Sequence, residues 1–428
     1  MVPRFSRDMS VLGGQRFFLL LVQTVTSVLV SRTLGPDSYG ALAFAMSIVG
    51  LCALPAMSGM APLMVREAAQ CKQTHDWYSL SSMLSKANIW TAVISILAIS
   101  AIIFWSFYYI DVENRKISLI LSVLFIPLIS YTVIYSSVLQ GFGQAIYSQS
   151  LEWVLTPFIY LSIILILWVN QYLTIETAII GSLLSIFISF ILMIRKNVKI
   201  LSNLSKGHFN LIELFKSKPD RKWLVVFLPF LFLKLAGSLN NYIPSLMLGL
   251  MTSDYSLGIY KVSESISLMA SLPLLLINML IGPRFVALYA VKDLAGIEDL
   301  GKKSARITFL LSGLFIIILV IFGHSILELL YGTSYIGSYN ALIILSLGQL
   351  VNVGCGSVAL ILNMTGFERD SMKTLMLSTL LNIVLCLVLV PLWQEIGAAM
   401  ASAISLMLWN MGLVRLVRKR LAIRIAIV

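Results

Sequence analysis

Long apolar stretches alternate with short polar segments along the whole chain. A helix needs about 20 mostly apolar residues to cross the hydrocarbon core of a bilayer, and by this measure the pattern predicts about twelve membrane-spanning helices. Their expected bounds are 11–32, 38–63, 87–109, 117–139, 150–170, 177–196, 223–248, 257–281, 306–325, 340–362, 374–393 and 397–417. The predicted fold class is therefore an all-α polytopic membrane protein.

The longest polar segment lies near the middle of the chain and separates two halves of six predicted spans each. Landmarks in the first half recur in the second: Gly40 and Gly258 are 218 residues apart, Gly141 and Gly366 are 225 apart, and Glu176 and Glu395 are 219 apart. Six crossings return the chain to its starting side, so the repeats are parallel, as in many alternating-access carriers. The sequence thus predicts two pseudo-symmetric six-helix lobes, 1–196 and 223–428, around a central cavity, with a basic cytoplasmic connector at 197–222.

A short polar turn between two apolar runs occurs once in each half. The first copy is LVSRTLGPDSYG (29–40) and the second is MTSDYSLG (251–258). Gly35 and Pro36 are expected to end one helix of the first copy. Asp37 or Ser38 can cap the helix that follows, and capping is the expected role of the acidic residues Asp37 and Asp254 in the two copies. We interpret the unit as a tight extracytoplasmic hairpin that is used twice.

The composition agrees with a membrane protein. Charged residues make up 12% of the chain and hydrophobic residues 59%, with a mean hydropathy of +0.93, whereas soluble domains carry roughly 25% charged residues. With the N-terminus placed inside, 25 of the 31 Lys and Arg residues fall in inside segments, as the positive-inside rule predicts. Both termini are expected to be cytoplasmic. The net charge of +12 is then a signal of topology and of attraction to anionic membrane lipids, and nucleic acid is not an expected partner.

Several kinds of chemistry are not expected. The four cysteines are scattered and the three histidines lie far apart, so no disulfide framework and no metal site is predicted. GIEDLGKKS (296–304) resembles a phosphate-binding loop, but Lys303 stands where that loop requires Ser or Thr. No cofactor and no catalytic residue is predicted, so the protein is not expected to be an enzyme. Transport would be driven by an ion gradient, by the membrane potential or by removal of the product.

Polar residues inside the seventh predicted span are candidates for a binding site, because ionisable groups in a membrane are costly and usually face a cavity. Lys234 lies about eleven residues into this span, roughly 16 Å along a helix and near the bilayer centre. Asn240, Asn241 and Tyr242 continue the polar track in the same helix. We predict that all four residues contact the substrate.

Charged residues in the eighth and first predicted spans extend this candidate site. Lys261 and Glu264 are three residues apart and therefore neighbours on one helical face. Either they pair with each other, or Glu264 accepts a coupling ion while Lys261 meets an anion. Arg16 either lines the cavity or extends to the cytoplasmic interface. A cationic, amide-rich lining suits an anionic substrate rich in hydroxyl groups.

The segment VSRTLGPDSYGALAFAMSIVGLCALPAMSGMAPLMVREAAQ (30–70), with its polar turn and its MVREAA stretch, closely resembles bacterial polysaccharide flippases. These are the O-antigen (Wzx-type) members of the multidrug/oligosaccharidyl-lipid/polysaccharide exporter superfamily. The resemblance implies a flippase that moves an undecaprenyl-diphosphate-linked oligosaccharide to the periplasmic leaflet of the bacterial inner membrane. It also implies that cavity cations, here Lys234, Arg16 and Lys261, engage the headgroup. A polysaccharide polymerase and chain-length machinery are its implied partners.

Other functions remain open at this point. A multidrug or cation antiporter of the same superfamily is the nearest alternative, although it should have a more acidic and aromatic lining. A membrane polysaccharide polymerase or ligase would need a large extracytoplasmic loop, and the longest predicted one covers only 324–339. The driving force also stays open, between the membrane potential alone and coupling to H⁺ or Na⁺ at Glu264.

Overall fold

The computed structural model describes the backbone of residues 2–110, 112–205 and 222–427. Side chains are described for 11–110, 112–202 and 237–427, and for Phe227, Leu231 and Leu235. Within these ranges the chain is almost entirely helical and contains no strand. The all-α prediction is confirmed for this part of the chain.

In the described part of the first half of the chain there are eight helices. They are α1 (Val2–Met57), α2 (Met60–Thr74), α3 (Trp77–Tyr109), α4 (Glu113–Ser122), α5 (Phe125–Gly141), α6 (Ala145–Ser150), α7 (Thr156–Val169) and α8 (Ile175–Ser205). A π-helical turn, Leu151–Leu155, joins α6 to α7. Helix α1 is continuous except at Gly35, whose φ of 76° and ψ of 170° bend it. The bend lies where the sequence predicts the first turn, between 32 and 38.

In the second half, residues 222–427 form seven helices. They are α9 (Lys222–Met251), α10 (Asp254–Met269), α11 (Leu272–Ala290), α12 (Leu294–Tyr331), α13 (Tyr339–Cys355), α14 (Val358–Met364) and α15 (Glu368–Leu421). A 3₁₀ segment, Thr333–Ser338, precedes α13. Helix α15 bends at Trp393 and Gln394, where φ of Gln394 is 46°, and this bend lies at the predicted break between 393 and 397.

Nine helical segments within the described ranges are long and apolar enough to cross a membrane. Two of them, Val11–Thr74 and Glu368–Leu421, include the bends just described. Long apolar helices of this kind make the chain a multi-pass membrane protein. The count of twelve crossings and the cytoplasmic side of both termini stay predictions.

The chain divides into two compact units. The N-terminal unit comprises Phe18–Thr26 and Ala45–Ser238, and the C-terminal unit comprises Met1–Phe17, Ser27–Phe44 and Leu239–Val428. The predicted lobes with limits at 1–196 and 223–428 stay a prediction. Most of the predicted connector at 197–222 lies outside the described residues.

The N-terminal unit has a core of large apolar side chains around α2, α3 and α5. Leu63, Leu80 and Phe227 are among its fully buried members. Gly59 lets the Phe227 ring approach the backbone, because a Cβ atom there would overlap that ring. Tight approach at small residues is typical of helix packing in membranes.

In the C-terminal unit, the two copies of the repeated turn pack against each other. A Cβ atom on Gly40 would overlap the carbonyl oxygen of Asp254, and one on Gly258 would overlap the carbonyl oxygen of Pro36. The contact is reciprocal, and both positions need glycine because the backbones touch. Ser253, rather than the expected Asp254, caps α10, since its hydroxyl oxygen accepts a hydrogen bond from the amide of Ser256 at 3.3 Å. The repeated turn is thus a helix-packing device as well as a hairpin.

The C-terminal tail also packs within this unit, although the sequence shows it only as a basic tail. Ile423 and Ile425 are buried in alternation with exposed residues. The amide of Ile427 donates a hydrogen bond to the carbonyl of Gly354 at 2.9 Å. Gly301 leaves room for the Ile425 side chain, since a Cβ atom there would crowd it. The tail therefore closes one apolar core of the unit.

Candidate functional site

A small polar cavity lies inside the C-terminal unit, between α9, α10, α13 and α15. Its volume is about 120 Å³. The polar side chains that line it are Asn240, Asn241, Tyr260, Glu264, Ser267, Gln349, Asn382 and Ser402. Glu264 is the single charged residue among the lining side chains. The cavity is therefore dominated by neutral amide and hydroxyl groups.

The spacing along α10 explains how one helix supplies three of these side chains. Tyr260, Glu264 and Ser267 follow one another at intervals of four and three residues, so they share one face. On α9, Asn240 and Asn241 precede Pro244, which also lines the cavity. A proline inside a helix removes one backbone hydrogen bond and distorts the preceding turn. These local features place polar groups beside the cavity in otherwise apolar helices.

Hydrogen bonds hold the lining side chains in position. The Asn382 amide donates to Oδ1 of Asn240 at 2.8 Å, and the hydroxyls of Tyr260 and Ser402 lie 3.1 Å apart in a hydrogen bond. Because Asn240 accepts on its oxygen, its amide nitrogen keeps two N–H donors for a further group. The site is thus preorganised to donate to oxygen atoms.

An ion pair closes one side of the cavity. Nζ of Lys261 lies 2.6 Å from Oε2 of Glu264, and both side chains are 23% exposed. Tyr39 and Tyr242 lie near enough to Lys261 to interact with it electrostatically. Of the two alternatives left open by the sequence, the structure contains the internal pair. Glu264 therefore lines the cavity as the partner of Lys261 in an ion pair.

The structure brings some of the predicted site residues together. Asn240, Asn241 and Glu264 line the cavity, and Lys261 adjoins it through the ion pair. Tyr242 is half-buried on the same helix but is not among the lining residues. Their roles in binding stay predictions.

Two predicted residues lie elsewhere or outside the description. Arg16 is half-buried on α1 and is not among the residues that line the cavity. Lys234 belongs to α9, but its side chain falls outside the described residues. Neither residue adds a charge to the lining described here.

Sequence reasoning missed the amides of α13 and α15. Gln349 and Asn382 are single uncharged polar residues in long apolar stretches. A search for charges passes over them, whereas a search for amides within spans finds them.

In the described ranges, no three His, Cys, Asp or Glu side chains gather as a metal site would require.

A second cavity of about 240 Å³ continues the polar region within the same unit. Its polar lining includes Asn278, Asn352, Ser357 and Asn410. The Asn352 amide donates to Oε1 of Gln349, which lines the first cavity, at 3.0 Å. The two cavities together form a track of uncharged donors and acceptors suited to hydroxyl-rich ligands.

The fold matches that of solved membrane transporters. An inward-facing multidrug resistance MATE family transporter of the MOP superfamily has a TM-score of 0.77 and 14% identity, with 94% of each chain covered. The lipid II flippase MurJ in an inward closed conformation has a TM-score of 0.74 and 15% identity, covering 95% of this chain and 87% of that one. At such identities the similarity shows the fold alone.

Sequence comparison shows the family. CapF of Staphylococcus aureus, a capsular polysaccharide biosynthesis protein, is 25% identical over 181 residues, which are 42% of this chain and 46% of that protein. This match spans less than half of the relative's length. The family model for "Polysaccharide biosynthesis protein" matches residues 6–288, more than half of the chain. The chain belongs to the polysaccharide biosynthesis protein family.

Proposed function

We propose that the protein is a flippase for a lipid-linked oligosaccharide, which it moves from the cytoplasmic to the periplasmic leaflet of the bacterial inner membrane by alternating access. The observation that carries the proposal is the combination of its family with a fold shared with a lipid II flippase. The expected substrate is an undecaprenyl-diphosphate-linked repeat unit. It is a transporter in this proposal, without catalytic residues.

The chemistry of the C-terminal unit supports a sugar-bearing substrate. Amide and hydroxyl groups such as Asn240 and Gln349 line its cavities, and such groups pair with sugar hydroxyls. Lys261 at the edge of the first cavity adds an ammonium group that can meet a phosphate if its ion pair opens. Both features suit an anionic, hydroxyl-rich headgroup.

The membrane potential is a sufficient source of energy for such a headgroup. A diphosphate diester carries about two negative charges, and an inside-negative potential contributes about 2.3 kcal/mol per charge per 100 mV. Outward movement of the bare headgroup would therefore gain roughly 4 to 5 kcal/mol per 100 mV. Cations that travel with the headgroup reduce this gain, and coupling to H⁺ or Na⁺ then supplies the remainder. ATP is not part of this scheme.

A multidrug antiporter is the second candidate, because the MATE family transporter shares the fold over 94% of the chain. A binding site for cationic drugs needs unpaired acidic groups. The carboxylate in the first cavity, that of Glu264, is instead neutralised by Lys261. This pairing favours the flippase.

Deletion of the gene in a host of known surface polysaccharide tests the proposal. We expect single lipid-linked repeat units to accumulate in the inner leaflet, because nothing moves them across. The measurement is the amount of lipid-linked oligosaccharide in each leaflet, with a plasmid copy of the gene as control. Unpolymerised units on the outer leaflet would instead indicate a polymerase. Unchanged polysaccharide together with new drug sensitivity would indicate a multidrug pump.

A further inference from the structure

A half-buried acidic residue in the N-terminal unit lies on an unusual turn. Glu152 belongs to the π-helical turn Leu151–Leu155 between α6 and α7. Pro157 follows the turn and offers no amide donor. The amide of Thr156 bonds to the carbonyl of Leu151, five residues back, and its hydroxyl donates to the same carbonyl at 2.8 Å. Such π-helical turns are frequent at functional sites because they redirect side chains.

The carboxyl group of Glu152 is only partly satisfied. The Ser136 hydroxyl on α5 bonds to it, and Ser136 in turn accepts from the Gln140 amide at 3.2 Å. Oε1 of Glu152 is buried and has no hydrogen-bond partner within the described ranges. The same holds for Oε1 of Gln149, three residues earlier and therefore on the same face. Oε1 of Glu152 and Oε1 of Gln149 are therefore two acceptor atoms for which the described residues provide no hydrogen-bond donor.

Among the side chains that the structure describes, no cation forms an ion pair with Glu152 to compensate the charge that it would carry as a carboxylate. The titratable or charged groups on the helices around the turn are Tyr131 and Tyr135 on α5, Tyr147 on α6, Tyr160 on α7, and Glu176, Arg195, Lys196 and Lys199 on α8, of which Arg195 and Lys199 are exposed. The ammonium of Lys196 lies over the ring of Tyr147, 4.8 Å from its centre. Among described residues, Glu152 takes part in no ion pair. An ionised carboxylate buried without a partner is costly, and the group is normally neutralised instead.

Glu264 and Glu152 differ in whether a positive charge lies beside the carboxyl group. Glu264 lies 2.6 Å from Lys261, whose ammonium group supplies the opposite charge. A proton on Oε1 of Glu152 would remove the charge and would turn this partnerless acceptor into a hydroxyl donor. Glu264 is the candidate for ion coupling that the sequence suggested, but the ammonium of Lys261 is already its partner. Glu152 has no such partner among the described residues, so a proton can bind to its free oxygen.

We propose that Glu152 is the proton-binding residue through which this protein couples a proton gradient to transport. This proposal rests on the proposed flippase function for its transport part only. Glu152 lies seven residues after the start of α6, roughly 10 Å along the helix, close to a connector that the sequence places in the cytoplasm. The π-helical turn is the hinge: a shift of its hydrogen bonds exposes the carboxyl group to water, where it releases its proton.

Infrared spectroscopy of the purified full-length protein in lipid tests proton binding directly. The wild-type spectrum should contain the carbonyl stretch of a buried protonated carboxyl group that titrates with pH and does not respond to Na⁺. Glu152→Gln should lose this band, whereas Glu113→Gln, a change in an exposed connector residue, should retain it. A wild-type spectrum without the band, or a band unchanged in Glu152→Gln, would overturn the proposal. Replacement of the band by a carboxylate signal on addition of Na⁺ would make it a sodium site instead.

Reconstituted vesicles test the coupling. Lipid-linked oligosaccharide from the deletion strain is added to vesicles that contain a trapped pH indicator. The wild type should translocate the lipid and move protons, whereas Glu152→Gln should lose the proton movement and most of the translocation. Equal proton movement by both would contradict the coupling. If the wild type translocates no lipid at all, the flippase proposal fails, while the infrared titration still decides whether Glu152 binds a proton.

Discussion

Lys261 and Glu264 show at the scale of single residues how a charge is tolerated inside a membrane helix. Their side chains meet at 2.6 Å and are mostly buried. A buried pair gains little over an apolar pair, but removal of one partner leaves a buried charge, which costs about 3–5 kcal/mol. Each charge at the edge of the cavity is therefore tolerated only because the other residue is present.

Single substitutions of the pair should be more harmful than the double substitution. Lys261→Ala or Glu264→Ala should lower the free energy of unfolding by about 3–5 kcal/mol, measured by thermal unfolding in detergent. The double variant Lys261→Met/Glu264→Leu should recover most of this stability and still fail to export, because the ammonium group is gone.

A matched control is available on α12. Lys303 and Asp299 also form an ion pair within one helix, at 2.7 Å and with i,i+4 spacing, but their side chains are 67% and 62% exposed. Exposed pairs contribute about 0–1 kcal/mol, so Lys303→Ala should change little. A double variant as unstable as either single one, or a costly Lys303→Ala, would contradict the buried-pair interpretation.

At the scale of elements, close packing between helices depends on glycine at a few positions. Gly40 and Gly258 lie at equivalent places in the two copies of the repeated turn, and each faces backbone atoms of the other copy. The similarity of the two copies is readable in the sequence. Their mutual contact is not, because the two copies are 218 residues apart in the chain.

Substitution of these glycines should separate the two copies. Gly258→Ala should reduce the yield of folded protein several-fold, because the added Cβ overlaps the carbonyl oxygen of Pro36 and backbone cannot yield cheaply. The measurement is the fraction of monodisperse protein after extraction and its melting temperature. Gly313→Ala on α12 is the control, since nothing lies within 4 Å of its Cβ position. Equal behaviour of the two variants would show that the contact is unimportant.

At the scale of the whole molecule, the distribution of Lys and Arg predicts which connectors face the cytoplasm. The connector around Glu113 should lie on the extracytoplasmic side of the membrane, and the connector around Lys292 should lie on the cytoplasmic side. Both residues are exposed. Three of the four native cysteines are buried and Cys52 is half-buried, so cysteines introduced at exposed positions are suitable topological probes.

Labelling of Glu113→Cys and Lys292→Cys in spheroplasts with a membrane-impermeant maleimide tests the topology. Glu113→Cys should label in intact spheroplasts, whereas Lys292→Cys should label only after permeabilisation. The wild-type protein is the control and should stay unlabelled. The reverse pattern would place both termini outside and would reverse the direction of the proposed transport.

The chemistry of the site was less predictable than the fold. Charges in apolar spans drew attention to Lys261 and Glu264, and the neighbouring Asn240 was found by its position in the same polar track. Gln349 and Asn382 were missed because a lone amide barely changes the hydropathy of a span. Glu152 was missed for a different reason. It lies near the end of a predicted span, where a charge is commonplace, and only the burial of its Oε1 atom makes it unusual.

The sequence by itself determined that the chain is helical, that it crosses the membrane many times and that α1 and α15 bend near Gly35 and Gln394. These properties depend on local hydrophobicity and on turn residues such as Gly35, which act over a few positions of the chain. Only the tertiary structure decided which polar side chains meet, which carboxylate lies against a cation and which has a buried oxygen without a partner among the described residues. Those outcomes depend on how distant helices pack, and packing is set by the shapes of many side chains together.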